Sequence, residues 1–183
     1  NRRIPVSEPL LFINARLVDC DTDTPGVLLV RDGKIAAVYH DVNAAQVEHP
    51  EARVIDCGGA TLMPAFVDMH AHFRDPGFTY KEDLESGSRA AAAGGFATVV
   101  LMPNTNPVIS DRAASLAVRA RASGAEFPDI FQSVSLTRGF GGTDTSALAD
   151  LDPSETPIAT EDGHEVASAA VMLRGTERKI GRA

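Results

Sequence analysis

The chain is poor in lysine, cysteine and positive charge. Each shortage closes off a class of function. Its 183 residues carry 17 Lys and Arg against 25 Asp and Glu, a formal charge of -8. That balance argues against a nucleic-acid partner, which would need a basic stripe. The two cysteines, Cys20 and Cys57, lie too far apart for a local metal knuckle, and they read as reduced thiols in or near strands. No run of 18 apolar residues and no signal-peptide pattern occurs, so the expectation is a soluble intracellular, cytoplasmic protein without a membrane span. Internal repeats, charge blocks and low-complexity tracts are absent too. The first residue is Asn1 rather than Met, so the expected true N-terminus lies upstream or has been removed.

Hydrophobic residues make up 44% of the chain, enough for one or two folded domains. Residues 10 to 63 read as short strands. Residues 10–18 form one with a polar break. Two apolar runs flank Asp32-Gly33, a hairpin signal. Two more short strands flank Gly58-Gly59. His40 and His49 fall here and carry no expectation of a site.

From Pro64 the texture alternates. Residues 65–70 are an apolar strand. Residues 80–95 are helical in composition and stop at Gly94-Gly95. Residues 96–103 are a β-branched strand. A helix opens with Ser110 or Asp111 as N-cap and closes at Gly124. Residues 128–137 are a third strand, and 144–152 a weak helical turn. Residues 156–162 are a short fourth strand. A last helix opens at His164, with Gly175 a weak point in it. Strands alternating with helices imply a parallel sheet with crossover connections. A doubly wound sheet and a (β/α) barrel both fit. The first crossover carries no G-x-G-x-x-G, so a dinucleotide site has no support.

In both architectures, sites form beyond the carboxyl ends of the strands. His70 and His72 end the first strand, and period-two alternation leans them, with Arg74, to one side. Two converging imidazoles suit a metal ion. Asn104 ends the second strand, although a turn role is its default. Thr137 and Arg138 end the third, and Glu161 and Asp162 the fourth. The lysines Lys34, Lys81 and Lys179 all miss the strand ends, so a metal-bridging group from this chain must be a carboxylate, and Asp162 is best placed. His164 is expected to be solvent-exposed.

The stretches HAHFRDPG (70–77), KEDLESGSRAAAAGGFATVVLMPNTNP (81–107) and EDG (161–163) resemble the dihydroorotase branch of the amidohydrolase superfamily. The resemblance runs from about residue 10 to the end and is strongest over 60–108. It implies an α/β fold: residues 1–63 as the N-terminal portion of a small β-sandwich, and residues 64–183 as about four βα units of a (β/α)8 TIM-like barrel. It implies reversible, zinc-dependent interconversion of N-carbamoyl-L-aspartate and dihydroorotate in pyrimidine biosynthesis, with one or two Zn²⁺ ions. Carried over by position, His70, His72 and Asp162 are metal ligands, and Asp162 is also catalytic. Arg74 and Asn104 bind the substrate carboxylate. Related sequences often read Asp-Asp-Gly where this one reads Glu161-Asp162-Gly163, so Glu161 is expected to point away from the metal. The family's further histidine ligands and its proton-shuttling aspartate belong to strands five to eight. A full barrel takes about 250 residues, whereas 119 of the 183 follow Pro64. The chain is therefore expected to be an inactive piece of a longer hydrolase. The implied partners are the small-molecule substrate, a homo-oligomeric copy and a carbamoyltransferase. The alternatives are an allantoinase or hydantoinase, or a non-catalytic homologue serving as an assembly partner.

Overall fold

The computed structural model describes residues 8–123 and 128–180. The chain divides into two compact units, Asn1–Pro64 and Ala65–Ala183.

The first unit is a single sheet with one short helix. Strands β1 (Leu10–Val18), β2 (Asp23–Arg31), β3 (Lys34–Tyr39) and β4 (Arg53–Asp56) lie in the order β3-β2-β1-β4, and β5 (Thr61–Leu62) also pairs with β1. β1–β2 and β2–β3 are antiparallel hairpins, while β4 and β5 run parallel to β1. The β2–β3 turn places Asp32 (φ 52°) and Gly33 (φ 69°) in left-handed conformation. Two such residues make the tight turn whose twist matches the flanking strands. The polar break in β1 does not end the strand. It is a register shift between Phe12 and Ala15, with Asn14 at φ 54° and its amide donating to Asp56 Oδ1 at 2.9 Å. Helix α1 (Val42–Glu48) is an element the sequence reading did not expect. Asp41 caps it by accepting from the Asn43 and Ala44 N–H groups. A helix of seven residues is too short to form alone. It is fixed by Ala45, fully buried in a core with Leu11, Val27, Leu29 and Ala52.

In the second unit, parallel strands β6 (Phe66–Ala71), β7 (Phe96–Leu101) and β8 (Asp129–Gln132) lie in sequential order, and β9 (Val134–Ser135) pairs in parallel with β10 (Ala159–Thr160). Helix α2 (Leu84–Ala93) joins β6 to β7. It starts four residues later than its composition suggests, because Asp83 forms a capping box with Ser86. The Ser86 N–H, the largest influence, holds the Asp83 carboxyl below its usual range. The helix ends at Gly94, and Gly95 turns at φ 81°. Helix α3 (Arg112–Ala122) is capped by Asp111 and not by Ser110, whose hydroxyl accepts from Ser135 Oγ and from the Gly139 N–H. Its C-cap is Ser123, and Gly124 lies outside the described residues.

The expected third strand is split in two. β8 follows β7 only as far as the Leu101–Gln132 pair, where Ser133 donates through both its N–H and its hydroxyl to the Leu101 carbonyl. Beyond that pair the Ser135 N–H on the same side goes to the Ile109 carbonyl at 2.8 Å, outside β7, while on the opposite side Val134 and Leu136 donate to Ile158 and Thr160.

Helix α4 (Ala169–Ile180) opens five residues after His164, which corrects the expected start. Asp162 (φ 36°) and Gly163 (φ 86°) form a turn closed by His164 N–H to Glu161 O. The Ala167 N–H is pinned to Gly142 O at 2.7 Å. Those residues are unavailable to a helix, which begins once the Ser168 hydroxyl accepts from the Val171 N–H. Gly175 is a packing requirement: a Cβ there would stand 2.8 Å from the Leu136 side chain. Gly87 of α2 is alike, with the buried Phe73 ring 2.7 Å from an added Cβ. Among the described residues, no helix is long and apolar enough to cross a membrane.

Candidate metal centre

His70 is the penultimate residue of β6 and His72 follows one residue past its end. The backbone is held there by Asp68, whose carboxylate accepts from the His70 N–H at 2.9 Å. The imidazoles lie on one side, with ring centroids 5.1 Å apart. Asp162, 92 residues further on, reaches them from the end of β10. Its Oδ1 is 3.1 Å from His70 Nε2 and its Oδ2 is 3.8 Å from His72 Nδ1. One ligand atom from each of His70, His72 and Asp162 lies within 4.8 Å of the others.

The carboxylate and the rings sit in unequal environments. The Asp162 side chain is 9% exposed, against 59% for His70. Its Oδ2 is buried with no hydrogen-bond donor. A buried carboxylate oxygen without a donor costs free energy unless a cation meets it. Two imidazole nitrogens and a carboxylate suit a divalent transition-metal ion at such a point. The residues present therefore fit a metal.

Around this trio lie the other sequence candidates. The Asn104 side-chain oxygen is 3.0 Å from His72 Nδ1. That contact braces the His72 ring beside Asp162. Arg74 (φ 58°) brings Nη1 to 3.5 Å from the Asn104 carbonyl. Glu161 lies outside the trio: its carboxylate accepts from both the N–H and the hydroxyl of Thr137. Arg138 is exposed and faces Asp111 and Asp144 at 3.9 and 3.5 Å. His164 is exposed at its turn yet stacks on Phe140, with centroids 4.2 Å apart.

Sequence reasoning missed two supports. Asp75 is buried and both its oxygens accept from Arg121 Nη2 at 2.5 Å, which ties the Arg74 loop to α3. Nothing in the run of α3 marks Arg121 for this task. The loop 74–77 also interlocks with the loop 103–107. Asn106 N–H donates to Pro76 O, and a Cβ at Gly77 (φ 90°) would overlap the Asn106 carbonyl at 2.1 Å. Gly77 was visible as part of the Arg-Asp-Pro-Gly motif, but its contact partner was not.

A rim of histidine, amide and acid at the ends of parallel strands suits the amidohydrolase class, and the solved structures similar to this chain include hydantoinases. L-hydantoinase (dihydropyrimidinase) from Arthrobacter aurescens superposes with a TM-score of 0.62 and 32% identity, covering 71% of this chain and 28% of that one. A D-hydantoinase gives a TM-score of 0.69 at 23% identity over 93% of this chain and 37% of that one, a likeness of fold. Within the class, the Dihydro-orotase-like family model matches residues 59–180, and the chain belongs to that family. A curated dihydroorotase from Clostridium botulinum (strain Eklund 17B / Type B) is 40% identical over 165 residues, 90% of this chain and 40% of that protein. The chain thus spans about two-fifths of the length of the curated relatives it matches.

Proposed function

We propose that this chain belongs to a longer enzyme acting as a dihydroorotase: zinc-dependent, reversible interconversion of N-carbamoyl-L-aspartate and dihydroorotate in pyrimidine biosynthesis. The observation that carries the proposal is the meeting of His70, His72 and the donorless Asp162 Oδ2 at one point, in a chain of the Dihydro-orotase-like family. Residues 1–63 supply the N-terminal portion of a small β-sandwich, and 64–183 the first half of a (β/α)8 barrel. The sequential parallel order of β6, β7 and β8 supports this, as do Phe66, Val67 and Met69, which stand 48%, 60% and 67% exposed on edge strand β6. A further strand would pair there.

Zinc, when bound by His70, His72 and Asp162, supplies Lewis acidity toward the ring amide and activates water. Asn104 braces the His72 ring beside Asp162. Arg74 offers a planar guanidinium to the substrate carboxylate, which accepts two parallel hydrogen bonds from it, and the Asn104 loop borders the same space. Asp162, with its side chain 9% exposed, would supply the carboxylate ligand. The remaining ligands and the proton shuttle come from residues beyond this chain, so the 183 residues alone are inactive. A cytoplasmic oligomer with a carbamoyltransferase partner completes the proposal.

A hydantoinase or allantoinase is the second reading, favoured by the likeness to L-hydantoinase. The two separate on substrate. Purified full-length protein loaded with zinc should turn over dihydroorotate and leave hydantoin, allantoin and dihydrouracil untouched. Turnover of the neutral rings alone would establish the second reading. A protein that neither holds zinc nor gains activity on its addition would be a non-catalytic assembly partner.

A further inference from the structure

We infer that Glu161 is a positioning residue: by clasping Thr137 it holds Asp162 in the backbone conformation that turns its carboxylate onto His70 and His72. The inference rests on the reading of Asp162 as a metal ligand. Asp162 sits at φ 36° and is followed by Gly163 at φ 86°. A non-glycine residue stays in the left-handed region only where its surroundings over-determine it. The last ladder bond between the third and fourth strands is Leu136 N–H to Thr160 O, at 3.1 Å. The next candidate, the Arg138 N–H, goes to Asp144 O instead, so the backbone alone does not secure the turn. The Glu161 side chain does so. One carboxylate oxygen accepts from the Thr137 N–H at 3.0 Å and the other from the Thr137 hydroxyl.

Thr137 is a rigid anchor. It is fully buried, and its hydroxyl oxygen accepts from the Gly142 N–H at 2.8 Å. Two shorter bonds finish the turn, Asp162 N–H to Thr160 Oγ1 at 3.1 Å and His164 N–H to Glu161 O at 2.9 Å. Both act within the turn. Only the Glu161 carboxylate ties residue 161 to the neighbouring strand, and it does so through charge-assisted bonds, the stronger kind. With that clasp cut, Asp162 can relax out of φ 36° and its carboxylate loses its fixed aim.

The test is zinc affinity in the full-length protein, measured by chelator competition, beside the kcat and KM for dihydroorotate. Glu161→Ala and Thr137→Val should each weaken zinc roughly 10- to 100-fold, the range for loss of an outer-shell partner. At fixed free zinc, kcat should fall while KM holds. The double variant should be no worse than either single one, and Thr137→Ser should restore near wild-type affinity. Should Glu161→Ala fold poorly, Glu161→Gln carries the test, since it keeps the shape, weakens the clasp and leaves the Thr137 hydroxyl to the Gly142 N–H. Unchanged zinc affinity in the clasp variants beside a weakened Asp162→Asn, or additive losses in the double variant, would overturn the positioning role. Unchanged affinity in Asp162→Asn would instead overturn the metal site itself.

Discussion

The two units of this chain differ in how far along the chain their strands find partners. In the first, β1, β2 and β3 follow one another as antiparallel hairpins, with a local Asp-Gly turn between β2 and β3, and only β4 and β5 return to β1 from further on. In the second, each strand pairs with one that lies beyond a helix, and the candidate site joins residues 70 and 162. The first unit has a core and, among the described residues, no cluster of metal-type ligands. Non-local pairing gathers the ends of several strands on one rim, and chemistry needs such convergence.

The contrast gives a graded set of expectations for the full-length protein. His72→Ala should have the largest effect, removing a ligand and depleting zinc by more than the 10- to 100-fold typical of an outer-shell change. Full metal content in that variant would break the assignment. Leu29→Ala, in the core of the first unit, should cost about 2–5 kcal/mol while zinc per folded molecule stays unchanged. A metal loss in step with that destabilisation would show that the units are not independent in function. Arg74→Ala removes charge-assisted bonds worth about 1.5–3 kcal/mol. It should raise KM roughly 10- to 100-fold at normal zinc content, and zinc loss there would mean that Arg74 supports the metal and not the substrate.

Gly87→Ala should destabilise by about 1–3 kcal/mol, because its Cβ would press on the Phe73 ring. A neutral result would show that the Phe73 ring can move aside. The smallest effect belongs to Asp83. Its carboxyl is held below the usual range, so its contribution is present above the unfolded pKa and fades as pH falls through the lower folded value. Asp83→Asn keeps a capping side chain but removes the charge, so thermal stability should fall slightly at neutral pH and converge on that of the parent protein at acid pH.

Much of this was legible in the residues. The Asp32-Gly33 hairpin, the Gly94 cap, the strand–helix alternation after Pro64 and the grouping of His70, His72 and Asp162 all follow from local signals placed on a repeating topology. Three features were not legible. Helix α1 is short and survives by burying Ala45 against the sheet. The third strand breaks at Ser133 because its neighbour β7 runs out at Leu101, a fact about another segment. The last helix starts late because Gly142, far away in sequence, captures the Ala167 N–H.

The sequence by itself determined the hydrophobic periods and the strongest turn and cap signals, Asp32-Gly33 and Gly94 among them, because those depend on backbone preferences and hydrophobic spacing within a few residues. Only the tertiary structure decided where the third strand divides, that Thr137 is what takes up the Glu161 carboxylate, and that Arg121 holds Asp75. Such choices are set by which polar groups are left unpaired once distant strands have met, and no local stretch of the chain contains that information.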